Sequence, residues 1–129
     1  MPQTQKISTP AMQEKICCLA GLLHEKKAAD IYALDVTVYC SSFEGLILAT
    51  AQNERHARSL ADHLLALAHE RNWDFLGMEG YQHSGWILLD FNDILVHIFQ
   101  EEHRSFYNLE GFWSSGISVA LNLPESEHA

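Results

Sequence analysis

The sequence predicts an α/β (α+β) fold in which helices flank a mixed five-stranded β-sheet. Helical and strand periodicities follow one another in the order α-β-β-α-β-β-β-α. Residues 85–99, GWILLDFNDILVHIF, form two apolar runs around Asp90-Phe91-Asn92-Asp93, whose side chains favour a turn, so this stretch predicts a β-hairpin. At 129 residues the chain can bury a sizeable core without metal or disulfides. We expect one domain over residues 1–129, with a core at about 11–113 and a C-terminal extension at 114–129.

The first helix is predicted over about residues 11–27. Thr9 and Pro10 suit its N-cap and first helical position. Its apolar residues recur at spacings of three and four and form one stripe, which should face the core or an interface: Met12, Ile16, Leu19, Leu22 and Leu23.

Two neighbouring strands are predicted next. Over residues 30–39 apolar and polar residues alternate, so Leu34 should lie on a buried face and Asp35 on the opposite, exposed face. After a turn at residues 41–45, the apolar run 46–50 predicts a second strand that pairs with the first.

A second long helix follows, capped by Asn53 and ended by Asn72. A short strand is then predicted over residues 73–78, closed by Glu79-Gly80. The apolar positions of the helix form a continuous stripe: Ala57, Leu60, Ala61, Leu64, Leu65 and Ala68.

The hairpin arms, residues 86–89 and 94–99, are apolar at nearly every position, which is typical of strands covered on both faces. His97 interrupts this pattern, and a core histidine hydrogen-bonded to backbone is favoured over a metal ligand or general base. Trp86 and Phe91 bracket the first arm, and hairpin ends reach the surface. We therefore expect both rings to be at least partly exposed.

Beyond the hairpin, a helical pattern runs from about residue 100 to residue 113. Residues 117–123 then carry an apolar side chain at every second position. Leaving these side chains in water would be costly, so the segment should pair with a sheet edge or cover a groove. Disorder is the alternative outcome.

The formal net charge is −9, and residues 74–113 contain seven carboxylates against one cation, Arg104. Such a surface repels phosphate, which argues against direct nucleic-acid binding through this half of the chain. A basic protein partner fits better. The alternative is that the acidity serves solubility alone.

The sequence also carries signals about the cellular compartment. No apolar run approaches the ~20 residues of a membrane span, and the N-terminus lacks the pattern of a signal peptide. Three cysteines form neither a zinc nor a redox motif. We expect a cytoplasmic protein with reduced thiols and no membrane partner.

Five polar residues could carry chemistry, and each has a structural alternative. Asp90 and Asp93 could bind a divalent cation, but two carboxylates are few for Mg²⁺ or Ca²⁺, and turn formation is favoured. His56 and His97 could form a zinc or catalytic pair, although Zn²⁺ needs three or four ligands. Arg55 and His56 form a candidate anion-binding site, with a solvated arginine and a capping-turn histidine as the favoured alternative. We therefore expect no enzyme, no metal and no cofactor.

Seven groups of residues occur in an order and spacing that carry a resemblance. They are Ala29-Asp30-Ile31 with Leu34-Asp35-Val36; Ala49-Thr50 with Arg55-His56 and Ala61-Asp62; Glu79-Gly80; Gly85-Trp86-Ile87-Leu88-Leu89-Asp90-Phe91; Asp93; Val96-His97-Ile98-Phe99; and Phe106-Tyr107-x-Leu109-Glu110-x-x-Trp113. Over about residues 11–113 the chain resembles the ribosomal silencing factor (Iojap) family. It departs from the family pattern at Glu44-Gly45, Ala51 and Asn53, so the resemblance is weakest around residues 50–53.

The resemblance implies a nucleotidyltransferase-like fold without that enzyme's activity. It implies binding to the L14-type protein of the large ribosomal subunit, which blocks subunit joining and represses translation under nutrient limitation. A homodimer is a further candidate state. The alternative is a nucleotidyltransferase-like enzyme or nucleotide-binding protein, which would need a cleft with clustered carboxylates. The expected partner-binding residues are aromatic and acidic: Trp86, Asp90, Phe91, Asp93, Glu79 and Glu102.

Overall fold

The structure, a computed structural model, describes residues 10–35, 44–82, 85–101 and 117–118. Its elements are, in chain order, α1 (Pro10–Glu25), β1 (Ala29–Asp35), β2 (Gly45–Ala51), α2 (Glu54–Arg71), β3 (Gly77–Glu79), β4 (Trp86–Asp90), β5 (Ile94–Gln100) and β6 (Ile117–Ser118).

One mixed sheet contains all the described strands, in the order β3-β4-β5-β2-β1-β6. Strands β2 and β5 are parallel, and every other neighbouring pair is antiparallel. The predicted α+β class with a mixed sheet is confirmed, and the two-residue β6 joins the five main strands as a sixth.

Both described helices lie on one face of the sheet, which we call the helix side. The predicted stripes of α1 and α2 pack there against alternate residues of the strands, such as Ile47, Ile87 and Val96. The opposite face, which we call the outer face, carries a second buried cluster. Its members are Leu34, Leu46, Leu48 and Phe99, with Trp86 and Leu95 packed against them.

Helix α2 begins and ends at the predicted residues. The side chain of Asn53 accepts a hydrogen bond from the backbone N–H of His56 at 2.8 Å, which satisfies one of the free donors of the first turn. At the other end Asn72 adopts the left-handed conformation with φ 62°, and its N–H donates to carbonyls of the last turn.

The predicted hairpin is confirmed, with Trp86 opposite Phe99 and Asp90 opposite Leu95. Its first arm, β4, lies between β3 and β5, and its second arm, β5, lies between β4 and β2, so both arms are interior strands. The turn closes through the N–H of Phe91, which donates to the carbonyl of Ile94 at 3.0 Å.

The expected exposure of Phe91 is wrong, because this ring is fully buried. Phe91 continues the alternation of Ile87 and Leu89 and therefore belongs to the core of the helix side. There its ring lies 5.6 Å from the ring of Phe75.

Two further expectations differ from the structure. The strand predicted over residues 73–78 begins only at Gly77, because Trp73 still donates its N–H to the carbonyl of Ala68 in the last turn of α2. Asp35, expected to be exposed, is 3% exposed. Asp35 lies on the helix side, opposite Gly45 of β2. A Cβ added to Gly45 would meet Ile16 Cδ1 at 3.1 Å, so α1 packs closely against this part of the sheet.

Part of the predicted tail pairing is confirmed, because Ser118 pairs with Leu34 and Ile117 with Asp35. Residues 119–123, the predicted helix at 102–113 and most of the turn at 41–45 lie outside the described residues. No described helix is long and apolar enough to cross a membrane.

We predict that Phe91→Ala lowers the free energy of unfolding by about 3–5 kcal/mol, because it opens a cavity in a closely packed core. Phe75→Ala is the matched control. Phe75 is 39% exposed, so its truncation should cost less than half as much. Urea unfolding followed by circular dichroism measures both losses, and equal losses would contradict a structural role specific to Phe91.

Candidate partner-binding surface

Three of the predicted site residues share the outer face of the sheet. Glu79 is opposite Leu88 on β4. Trp86 lies two residues before Leu88 and Asp90 two residues after it, so both side chains lie on the same strand face as that of Leu88. Glu79 is exposed, and Trp86 and Asp90 are half-buried. We call Glu79, Trp86 and Asp90 the acidic aromatic face.

The indole of Trp86 lies over the sheet and is held by two neighbours from β5. Its Nε1–H donates a hydrogen bond to His97 Nδ1 at 2.9 Å. Its ring stacks on Phe99, with centroids 5.3 Å apart and planes inclined by 26°. The expected partial exposure of Trp86 is confirmed, since the indole is half-buried rather than sealed in the core.

His97 is a core histidine, as predicted, and is 7% exposed. Its hydrogen bond runs to the side chain of Trp86 rather than to backbone, which corrects the predicted partner. Burial disfavours the charged imidazolium and lowers the pKa of His97 to about 4. The ring is therefore neutral at pH 7, and Nδ1 carries the lone pair that accepts the indole N–H.

Asp93 occupies a different place from the acidic aromatic face. Its Oδ1 lies 2.7 Å from Lys15 Nζ, which also donates to the carbonyl of Phe91 at 3.2 Å. Lys15 further lies 5.4 Å from the ring centroid of Trp73. Asp93 therefore ties the hairpin turn to α1, and its charge is compensated by a neighbour from the helix side.

Asp90 takes part in the turn as well, since its Oδ1 accepts the N–H of Asn92 at 2.9 Å. Asn92 has a φ of 80°, in the left-handed region that such a side-chain turn tolerates. Within the described ranges, no group of three or more His, Cys, Asp or Glu side chains is arranged to hold a metal ion.

The start of α2, the candidate anion site, has an exposed Arg55 and a His56 in the capping turn, which is the alternative that the sequence favoured. His56 Nδ1 accepts the N–H of Gln52 at 3.0 Å, so the other ring nitrogen carries the proton and donates to the carbonyl of Lys26 at 2.8 Å. Both ring nitrogens thus join the start of α2 to the segment after α1, while Arg55 is exposed. His56 lies on the helix side and His97 on the outer face, so the structure does not bring them together.

Two further side chains lie near this surface, and neither was predicted from the sequence as a site residue. Tyr32, 50% exposed, and the half-buried Leu88 both lie on the outer face, in one row across the sheet with Leu48 and His97. Counting back two residues from Leu34 would have found Tyr32. Glu102 lies outside the described residues.

We predict an acid-sensitive component of stability from His97. In the unfolded chain the imidazole titrates near pH 6.5, and in the folded chain near 4, so protons bind the unfolded state first as the pH falls. This component is fully present above about pH 6.5 and is lost progressively down to about pH 4. It should reach about 3 kcal/mol, since one pKa unit corresponds to about 1.4 kcal/mol.

The measurement is the free energy of unfolding of the parent and of His97→Phe between pH 4 and pH 7.5. Other acid-sensitive groups are common to both proteins, so the difference between the two curves reports His97. The parent should lose more stability than the variant over this range, and parallel curves would contradict a buried neutral histidine.

Comparison with known families gives a match along almost the whole chain. A family described as "Ribosomal silencing factor during starvation" (RsfS) matches residues 9–129, including the segment at 114–129 that the sequence analysis set apart.

Individual relatives agree with that match. The ribosomal silencing factor RsfS of Bacillus subtilis is 30% identical over 104 residues, which are 81% of this chain and 88% of that protein. That of Halalkalibacterium halodurans is 28% identical over 84% of this chain and 93% of its own length. The chloroplastic protein Iojap of Arabidopsis thaliana is 32% identical over 80% of this chain and 43% of its own length.

Solved structures show the same fold. A crystal structure of a Chromobacterium violaceum protein superposes with a TM-score of 0.74 at 26% identity, covering 93% of this chain and 98% of that one. One from Bacillus halodurans gives a TM-score of 0.73 at 28% identity, covering 84% of this chain and 99% of that one. Because the family match spans residues 9–129 and the sheet and helices agree with these structures, the chain belongs to the ribosomal silencing factor (RsfS/Iojap) family.

Proposed function

We propose that this protein represses translation by binding the L14-type protein of the large ribosomal subunit and blocking its joining to the small subunit. The observation that carries the proposal is the acidic aromatic face, in which a half-buried indole lies on the same sheet face as two carboxylates. Membership in a family of ribosomal silencing factors supports a ribosome-associated role.

Charge supports a basic partner for this surface. Residues 74–101 contain five carboxylates and no lysine or arginine. Among these carboxylates Asp93 is paired with Lys15, whereas Glu79 is exposed on the edge strand. A ribosomal protein that itself contacts RNA offers the complementary basic charge, and opposite charges steer encounter.

The two kinds of residue should contribute differently to binding. An aromatic side chain that becomes fully buried at an interface contributes on the order of 2 kcal/mol or more, whereas charges at the rim mainly set the association rate. Phe91 is removed from the proposed contact residues because its ring is sealed in the core. Trp86 is therefore the proposed anchor, with Glu79 and Asp90 at its rim.

The proposed action is steric and needs no reaction. A domain docked on the face of the large subunit that meets the small subunit prevents joining by its bulk. The relatives are named as silencing factors rather than as enzymes, which supports this non-enzymatic role. Asp90 and Asp93, the carboxylates nearest the hairpin tip, are engaged in the turn and in an ion pair, which gives no support to the nucleotidyltransferase alternative.

We predict that Trp86→Ala weakens binding to the large subunit by about 2 kcal/mol, roughly thirtyfold in Kd, and restores subunit joining. Sedimentation of separated ribosomal subunits, with and without the protein, measures both effects. Asp93→Asn should weaken binding less, because Asp93 already pairs with Lys15.

Trp73→Ala is the matched control, because Trp73 is also half-buried but packs on the helix side. It should leave binding close to that of the parent once both variants are shown by circular dichroism to be folded. A folded Trp86→Ala protein that binds and blocks joining as well as the parent would refute the proposed surface.

We predict that Glu79→Gln and Asp90→Asn each slow association by roughly two- to threefold at low salt and flatten its salt dependence, with little effect on dissociation. Asp90→Asn keeps an Oδ1 that can accept the N–H of Asn92. Glu70→Gln is the control, because Glu70 is an exposed acid on α2. Rapid-mixing kinetics at low and high salt measure the effect, and equal slowing by all three variants would point to net charge alone.

A further inference from the structure

We propose that His97 is a positioning residue for Trp86: by accepting the indole N–H, it fixes the ring in the orientation that a partner meets. This inference rests on the proposed function, since it concerns how the same surface is prepared for binding. It adds a residue that touches the proposed partner only through another side chain.

The hydrogen bond crosses the hairpin diagonally. Trp86 is opposite Phe99, and His97 lies two residues away from Phe99 on the same strand face. The planes of the imidazole and the Phe99 ring are inclined by 9°, and their centroids are 6.2 Å apart. The indole centroid lies 5.7 Å from that of the imidazole and 5.3 Å from that of Phe99. The three rings therefore form one aromatic cluster on the outer face, in which Phe99 stacks with both of the others.

The stack and the hydrogen bond constrain different motions of the indole. Stacking on Phe99 restrains the plane of the indole but does not distinguish the two orientations related by a half-turn about the Cβ–Cγ bond. The hydrogen bond at 2.9 Å gives Nε1 one acceptor in one direction, which removes that freedom. Together they leave one orientation of the half-exposed ring.

The protonation state of His97 suits this role. Its burial keeps the imidazole neutral at pH 7, so Nδ1 remains an acceptor there. A protonated ring would present a second N–H to the indole donor and would break the contact. The acceptor therefore persists through the whole neutral range.

The backbone of Trp86 is fixed independently of its side chain. Gly80 has a φ of 86°, and a Cβ at that position would meet the carbonyl oxygen of Trp86 at 2.1 Å. Gly80 therefore lies directly against the Trp86 peptide, where no side chain would fit. With its backbone paired to Phe99 in the sheet and its ring held by His97, Trp86 has little conformational freedom left to lose when a partner binds.

The bond itself can be tested in the free protein. Uniform ¹⁵N labelling should show a coupling between the indole ¹⁵Nε1 of Trp86 and the imidazole ¹⁵Nδ1 of His97, with the indole resonance assigned through Trp86→Phe. Its N–H should exchange slowly with solvent. Absence of the coupling together with rapid exchange would overturn the inference without any variant at position 97.

The effect on binding needs two substitutions at position 97. His97→Phe keeps an aromatic ring in the stack and removes the acceptor, so binding to the large subunit should weaken by roughly tenfold. His97→Asn places an amide oxygen near the position of Nδ1 and should recover most of the affinity. Both effects should disappear in a Trp86→Phe background, which has no indole N–H.

The outcomes separate this inference from the proposed function. If the parent protein does not bind the large subunit, the proposed function is refuted, and so is the effect of His97 on binding. The ¹⁵N coupling between Trp86 and His97 still decides whether His97 holds the indole. The other outcome is that the parent binds and His97→Phe weakens binding equally in the parent and in the Trp86→Phe background. His97 then acts through general stability, and its role as a positioning residue is refuted.

Discussion

The parallel pairing of β2 with β5 is the constraint on which the rest of the fold depends. Seven consecutive residue pairs, from Gly45 with Ile94 to Ala51 with Gln100, join the two strands at the centre of the sheet. Parallel neighbours cannot be joined by a tight turn, so the chain must leave β2, cross the sheet and return. It does so through α2, and it re-enters the sheet at β3 and β4 before β5 closes the pair. This connection, from β2 through α2 to β5, includes β4, the strand that carries Trp86, and places it beside β5.

The two faces of that sheet have different roles because alternate residues of each strand point to opposite sides. On β4, Ile87 and Leu89 fill the core beneath the helices, and Phe91 continues this series past the end of the strand. The intervening residues Trp86 and Asp90 face the other way and are only half-buried. One short strand therefore serves stability with one set of side chains and presents a surface with the other, which is why Phe91 and Trp86, alike in type and close in sequence, differ so much in exposure.

The elements of the fold were predictable because they depend on local signals. The asparagine caps of α2 and the hairpin turn use hydrogen bonds between residues two to four positions apart, and these can be read directly from the sequence. The partners of His97 and Asp93 could not be found in that way. His97 meets Trp86 only through the register of the hairpin, and Lys15 meets Asp93 across 78 positions of the chain. The predicted exposure of Asp35 was wrong for a similar reason, since the burial of this residue depends on how α1 lies over β2.

The polar residues that suggested chemistry in the sequence are largely used by the fold itself. His56 joins the start of α2 to the segment after α1, Asp93 joins the hairpin to α1, and His97 accepts a hydrogen bond from Trp86. A polar group that is buried or half-buried must find a partner, because leaving it unsatisfied costs roughly 1–3 kcal/mol. Among the described residues, the outer face then offers another molecule the rings of Trp86 and Tyr32 together with the negative charge of Glu79. Such a surface is suited to a partner that brings both an apolar patch and basic side chains.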